Sequence, residues 1–227
     1  MRDKIKNIIS RSYHKALSEQ KEFYLNSALI QVIDPLSKHI DINHIILFLK
    51  KHVPDAILNL VDVYYIGNFD VFKKKNTNAA YSDGAIYISS DQDGEKDLVD
   101  DIIHELGHAL IEKENINIFG DDLIKREFIA KKNSLRRALK SKGYVLPKSF
   151  NKTNFSQEMD DFLYKDVGYE TLSNLTNGLF LGPYAATSLE EYFTTGLENY
   201  FLGKATLLKR ISPALFNKLE IYDEMEY

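Results

Sequence analysis

The hydrophobic pattern of this chain steps at a period of two only between Val61 and Ser89, and on either side it steps at three and four. Val61, Val63 and Tyr65 alternate with Asp62 and Tyr64, and Ala85-Ile86-Tyr87-Ile88-Ser89 follows an Asp83-Gly84 turn signal, so both segments read as strands. Upstream, Ile5, Ile8, Ile9, Ala16, Leu17, Phe23, Tyr24 and Ala28 recur at helical spacing, which predicts a helix over residues 3–30 that ends before Asp34-Pro35. Asp41 is placed to cap a second helix carrying Ile42, Ile45, Ile46 and Leu49, and Pro54 stops it. Downstream, Val99, Ile102, Ile103, Leu106 and Leu110 mark a helix from about Asp97, and a long basic helix follows at about 121–142 with Gly143 as the residue after its cap. Shorter helices are expected at 156–165 and 169–177. Another, capped by Thr187 or Ser188, should run to Phe201-Leu202 before Gly203, and a last short one starts at Ser212-Pro213. Two or three strands followed by helices define an α+β class rather than alternating βαβ units.

No repeat and no linker interrupts the 227 residues, so one large domain is expected, with residues 1–55 as an N-terminal helical segment packed on the main domain at 56–227. The longest apolar run, Ile45 to Leu49, is far short of the roughly 20 residues that cross a bilayer. Residues 1–20 are charged every few positions and hold no apolar core of a secretory signal, which leaves the compartment open. The chain has no Cys, so disulfides, thiolate metal sites and cysteine nucleophiles are excluded, and any metal must be held by His, Asp or Glu. A net charge of -4 argues against a nucleic-acid partner, and a monomer is expected. The charge is uneven: residues 121–150 carry nine Lys and Arg against Asp121, Asp122 and Glu127, which reads as a solvated helix face.

Inside the helix from Asp97 stands His104-Glu105-Leu106-Gly107-His108. Two His four residues apart share a helical face, so their imidazoles can converge on one metal ion while Glu105 lies beside them. The remaining histidines, His14, His39, His44 and His52, have no partner at ligand spacing. A catalytic zinc takes three protein ligands and keeps one position open, so a third must come from elsewhere in the chain, and with no Cys and no His following at metzincin spacing it is a downstream carboxylate. Thr187-Ser188-Leu189-Glu190-Glu191-Tyr192-Phe193 supplies the best candidates at the start of a helix. Thr187-x-x-Glu190 and Ser188-x-x-Glu191 both fit a capping box; whichever Glu closes the box is removed from the metal, and spacing leaves the choice even.

Over about residues 60–203 the sequence resembles the anthrax lethal factor-like family of gluzincin metallopeptidases, which pair an H-E-x-x-H helix with a Glu on a later helix. The shared features are His104-Glu105-x-x-His108 and Tyr184 followed seven residues later by Glu191 and the aromatic pair Tyr192-Phe193. The resemblance implies a zincin-like fold: a small sheet, an H-E-x-x-H active-site helix and a mostly helical C-terminal half. It implies one zinc ion per chain on His104, His108 and Glu191, with Tyr184 supporting the reaction, and a substrate lying along the strand at Gly84–Ile88. Family members commonly carry a carboxylate four residues after the ligand Glu, where this chain has Thr195.

The expected activity is zinc-dependent endopeptidase cleavage of a peptide or protein substrate, by a metal-activated water with Glu105 as general base and Tyr184 as oxyanion donor. The alternative is a zinc-stabilised interaction or regulatory module, derived from a toxin or virion protein, without useful turnover. Intact Glu105 and Tyr184 argue against it, because a structural zinc favours four protein ligands.

Overall fold

The computed structural model describes residues 21–224 apart from Asn76. Strands β1 (Glu22–Leu25), β2 (Ala28–Val32), β3 (Val63–Gly67), β4 (Ala79–Ser82) and β5 (Ala85–Ser89) form one mixed sheet in the order β1-β2-β3-β5-β4. β2, β3 and β5 run parallel, while β1 and β4 close the two edges antiparallel. The α+β class therefore holds with more strands than the sequence suggested.

The helix expected over residues 3–30 is corrected where it is described. Residues 22–32 are a hairpin, and residues 3–20 lie outside the described residues. Leu25, Ala28 and Ile30 enter the core while Tyr24 stays exposed, so the pattern alternates across a turn at Asn26, whose φ of 54 is the left-handed conformation that Asn tolerates. Phe23, Tyr24 and Ala28 had matched helical spacing by coincidence with this alternation. Ile30 of β2, from within residues 1–55, pairs with Tyr64 of β3 inside one sheet.

The two strands read from the period of two are β3 and β5. Between β4 and β5, Asp83 and Gly84 both take left-handed backbone (φ 50 and 78), the tight hairpin turn that the Asp-Gly pair signalled. Tyr64, Ile66, Ile86 and Ile88 form the buried face. Helix α1 (Ile42–His52) starts as expected, with the Asp41 carboxylate accepting the Asn43 N–H at 2.8 Å. Short helices α2 (Asp55–Leu58) and α3 (Asp70–Lys75) flank β3.

Helix α4 (Glu95–Phe119) is the axis of the fold and bends at Glu114. Leu98, Ile102, Ile103, Leu106, Ala109 and Leu110 are all buried, because the sheet edge at β4 and β5 packs on one side and a later helix on the other. Helix α5 (Leu123–Ser141) ends in Gly143 at φ 88, with Gly143 N–H donating to Lys140 O and Tyr144 N–H to Leu139 O, the paired bonds of a Schellman cap. Its basic face is not wholly solvated. Lys131 and Lys132 are buried: Lys131 Nζ donates to Leu179 O and Ile211 O at 2.6 Å each, and Lys132 Nζ to Lys152 O at 3.0 Å. Long apolar stems let these ammonium groups cross the core and meet carbonyl oxygens, and burial lowers the Lys132 pKa to about 8.

Helix α6 (Gln157–Asp161), the wider turns of Phe162–Val167 and helix α7 (Tyr169–Thr176) lead to a short 3-10 turn at Tyr184–Ala186 and then to helix α8 (Leu189–Asn199). α8 widens over Tyr200–Lys204, turns at Gly203 (φ 80), and is followed by α9 (Ala205–Ile211) and α10 (Pro213–Asp223). Ser212 precedes α10 as expected, but the cap comes from another helix. The Glu127 carboxylate of α5 accepts the Ala214 and Leu215 N–H groups at 2.9 and 3.2 Å and the Tyr192 hydroxyl at 2.8 Å, tying α5, α8 and α10 together. Among the described residues no helix is long and apolar enough to cross a membrane.

Candidate metal centre

α4 and α8 make the most extensive interhelical contact of the fold, and the reason lies inside the His104–His108 segment. A methyl group at Gly107 would stand 2.9 Å from Thr194 Cγ2 and 3.1 Å from Thr194 Cα, so only Gly lets the backbones approach this closely. That approach brings residues far apart in sequence onto one site. His104 Nε2 lies 3.0 Å from Glu191 Oε2, and His108 Nε2 lies 3.5 Å from Glu191 Oε1. Thr194 Oγ1 is 3.3 Å from both His104 Nε2 and Glu191 Oε2. One ligand atom from each of His104, His108 and Glu191 falls within 4.8 Å of the others.

The two-way choice between Glu190 and Glu191 resolves in an unexpected manner. Ser188 is the cap, its Oγ accepting the Glu191 N–H at 3.1 Å, yet the Glu191 side chain does not close a box; it joins the histidines, and Glu190 is exposed. The backbone N–H and the carboxylate of one residue thus serve different partners, which the capping-box argument excluded.

Glu105 faces the same cleft, its Oε2 accepting the Tyr81 N–H of β4 at 2.7 Å. The cleft, of about 560 Å³, is lined by Thr77 and Asn78, by Ala79 to Tyr81 of β4, and by His104, Glu105, His108, Tyr184, Glu191 and Glu198. Tyr184 is half exposed on the rim, with its ring centroid 6.1 Å from that of His104. The strand that borders the cleft is β4, the edge of the sheet among the described residues. β5, the strand at 85–89, is paired on both sides by β3 and β4 and offers no free backbone, which corrects the expectation that substrate lies along it.

Burial raises the Glu105 pKa to about 7, against the lowering effect of His104 and of the Tyr81 N–H. Burial alone would lower His104, but the Glu191 and Glu198 carboxylates raise it to about 10. His108 is lowered by burial. Burial works to raise the Glu191 pKa, but the hydrogen bond from His104 and the nearby His108 hold it below the usual carboxylate range. Burial and the adjacent Glu191 charge raise the Tyr184 hydroxyl, keeping it a neutral donor.

Sequence reasoning missed Glu198. Its Oε2 lies 3.5 Å from His104 Nδ1, one turn beyond Thr195 on the same helix. The signal was available as the seven-residue spacing of Glu191 and Glu198, which puts both on one face of α8. The other histidines lie away from the cleft where described: His39 Nε2 is 3.0 Å from Asp93 O, His44 is 3.6 Å from Glu95, and His52 packs on Phe48. His14 lies outside the described residues. Compared with protein-family models, curated proteins and solved structures, the chain matches none.

Proposed function

We propose that this protein is a zinc-dependent endopeptidase of gluzincin type with a zincin-like fold. The observation that carries the reading is the convergence of His104, His108 and Glu191 donor atoms within 4.8 Å, with Glu105 beside them in a cleft bordered by an edge strand. The residues fit the metal: two imidazoles and one carboxylate are the donor set of a catalytic zinc with an open position, and a fourth protein ligand is not needed. When bound, zinc supplies Lewis-acid chemistry, polarising a carbonyl oxygen and acidifying water.

The protein groups divide the remaining work. Glu105, held by the Tyr81 N–H and raised toward neutrality by burial, takes the proton of the attacking water and returns it to the departing amide nitrogen. Tyr184 donates its hydroxyl hydrogen to the carbonyl oxygen as that oxygen gains charge. β4 receives an extended peptide main chain along its outer side through the Ala79 N–H and the Tyr81 C=O, which turn away from β5, while the outward Tyr81 N–H stays on Glu105. The test is zinc analysis together with cleavage of a random peptide library. Bound zinc and cleavage lost on chelation support the reading; protein that takes up no zinc overturns it.

Two further outcomes are expected. Zinc uptake by the metal-free protein at about pH 8 should release about one proton, read by calorimetry in buffers of different ionisation enthalpy, because His104 must give up the Nε2 proton that Glu191 holds. The sign follows from the raised value: below about 10 the ring is charged in the metal-free protein, so affinity climbs as pH rises toward that value. Tyr184→Phe should lower kcat by ~10²–10³-fold with KM, zinc content and melting temperature little changed, since it removes a donor used in the transition state. A near-normal kcat would place the hydroxyl outside the reaction.

A further inference from the structure

We propose that Glu198 is a positioning residue for this centre, its carboxylate holding the Nδ1 edge of His104 so that Nε2 is presented to the metal. The inference rests on the metal reading above. Glu191 and Glu198 stand two turns apart on one face of α8, and His104 lies between them: Nε2 is 3.0 Å from Glu191 Oε2, and Nδ1 is 3.5 Å from Glu198 Oε2. A single helix therefore grips both nitrogens of an imidazole that belongs to another helix.

The neighbouring carboxylates have other partners. Asp101 accepts from Gln92 Nε2 at 2.8 Å, and Asp100 lies 3.9 Å from Lys96. Glu198 shares the cleft with both of them, and a third acid there adds like-charge repulsion. His104 is the cationic or hydrogen-bonding group that offsets this. A neutral imidazole that offers its Nε2 lone pair carries its hydrogen on Nδ1, and a carboxylate accepting that hydrogen fixes the tautomer, stops ring rotation and makes Nε2 more basic.

The experiment compares the full chain with Glu198→Ala and Glu198→Gln in zinc affinity, by competition with a chromogenic chelator, and in melting temperature with and without zinc. Glu198→Ala should weaken zinc binding ~10–100-fold and shrink the rise in melting temperature that zinc produces, with Glu198→Gln, which keeps an acceptor, falling between it and the unmutated chain. In the unmutated zinc-loaded protein, nitrogen NMR should place the His104 hydrogen on Nδ1, and Glu198→Gln should move that proton resonance as the acceptor loses its charge. An unchanged zinc affinity in Glu198→Ala, with equal falls in melting temperature for the metal-free and loaded forms, overturns the proposal in favour of a merely structural role. If Glu198→Ala does not fold, a zinc-loaded His104 whose hydrogen sits on Nε2 overturns it equally. Failure of the unmutated chain to bind zinc removes both this inference and the metal reading, so the two failures are distinguishable.

Discussion

Glu105→Gln is expected to keep its zinc and lose peptide hydrolysis by ~10²–10⁴-fold, the range that a positioned general base contributes. Gln preserves the shape of the side chain and an oxygen to accept the Tyr81 N–H, so the β4 contact at 2.7 Å survives the change. What it lacks is the basicity that burial brings to about 7 in the carboxylate. The measurement is kcat/KM on a peptide that the unmutated chain cleaves, beside the zinc content of both proteins. Retained turnover at full zinc would give the proton transfer to another group, and loss of zinc would make Glu105 a ligand rather than a base.

Glu191→Ala should cost most of the bound zinc, whereas the neighbouring Glu190→Ala should leave zinc intact and shift stability by within ~0.5 kcal/mol, as an exposed side chain outside the cap allows. The contrast is large because Glu191 meets both histidines, at 3.0 and 3.5 Å, and its removal leaves them without the carboxylate that completes the donor set. Metal titrations of the two variants decide it. Zinc lost from Glu190→Ala and kept by Glu191→Ala would exchange their roles.

Much of this was legible in the chain because it is local. The spacing of His104 and His108 is a property of one helix, the Asp83-Gly84 turn of one hairpin, and the Asp41 cap of one turn of backbone. What escaped depends on partners distant in sequence. That β5 lies inside the sheet and β4 at its edge follows from the strand order, which no period of two encodes. The buried Lys131 looks like any surface lysine until Leu179 and Ile211 bring their carbonyls to it. Ser188 and Glu191 satisfied a capping rule read within a single turn, but His104, 87 residues upstream, claims the carboxylate. The first hairpin failed for another reason: Leu25, Ala28 and Ile30 alternate, but the run is short and it follows a longer stretch at helical spacing.

The bonds from Glu127 to Tyr192, Ala214 and Leu215 give the site an order of assembly. Those contacts span 65, 87 and 88 residues, and the His104–Glu191 pair spans 87, so the clustered side chains meet only through loops whose closure is slow. During synthesis the histidines emerge well before the acid that joins them, and Tyr192 of α8, the first of Glu127's three partners in the chain, emerges before the Ala214 and Leu215 N–H groups of α10. A nascent chain therefore carries the two histidines without their carboxylate partner until α8 has been made and docked on α4.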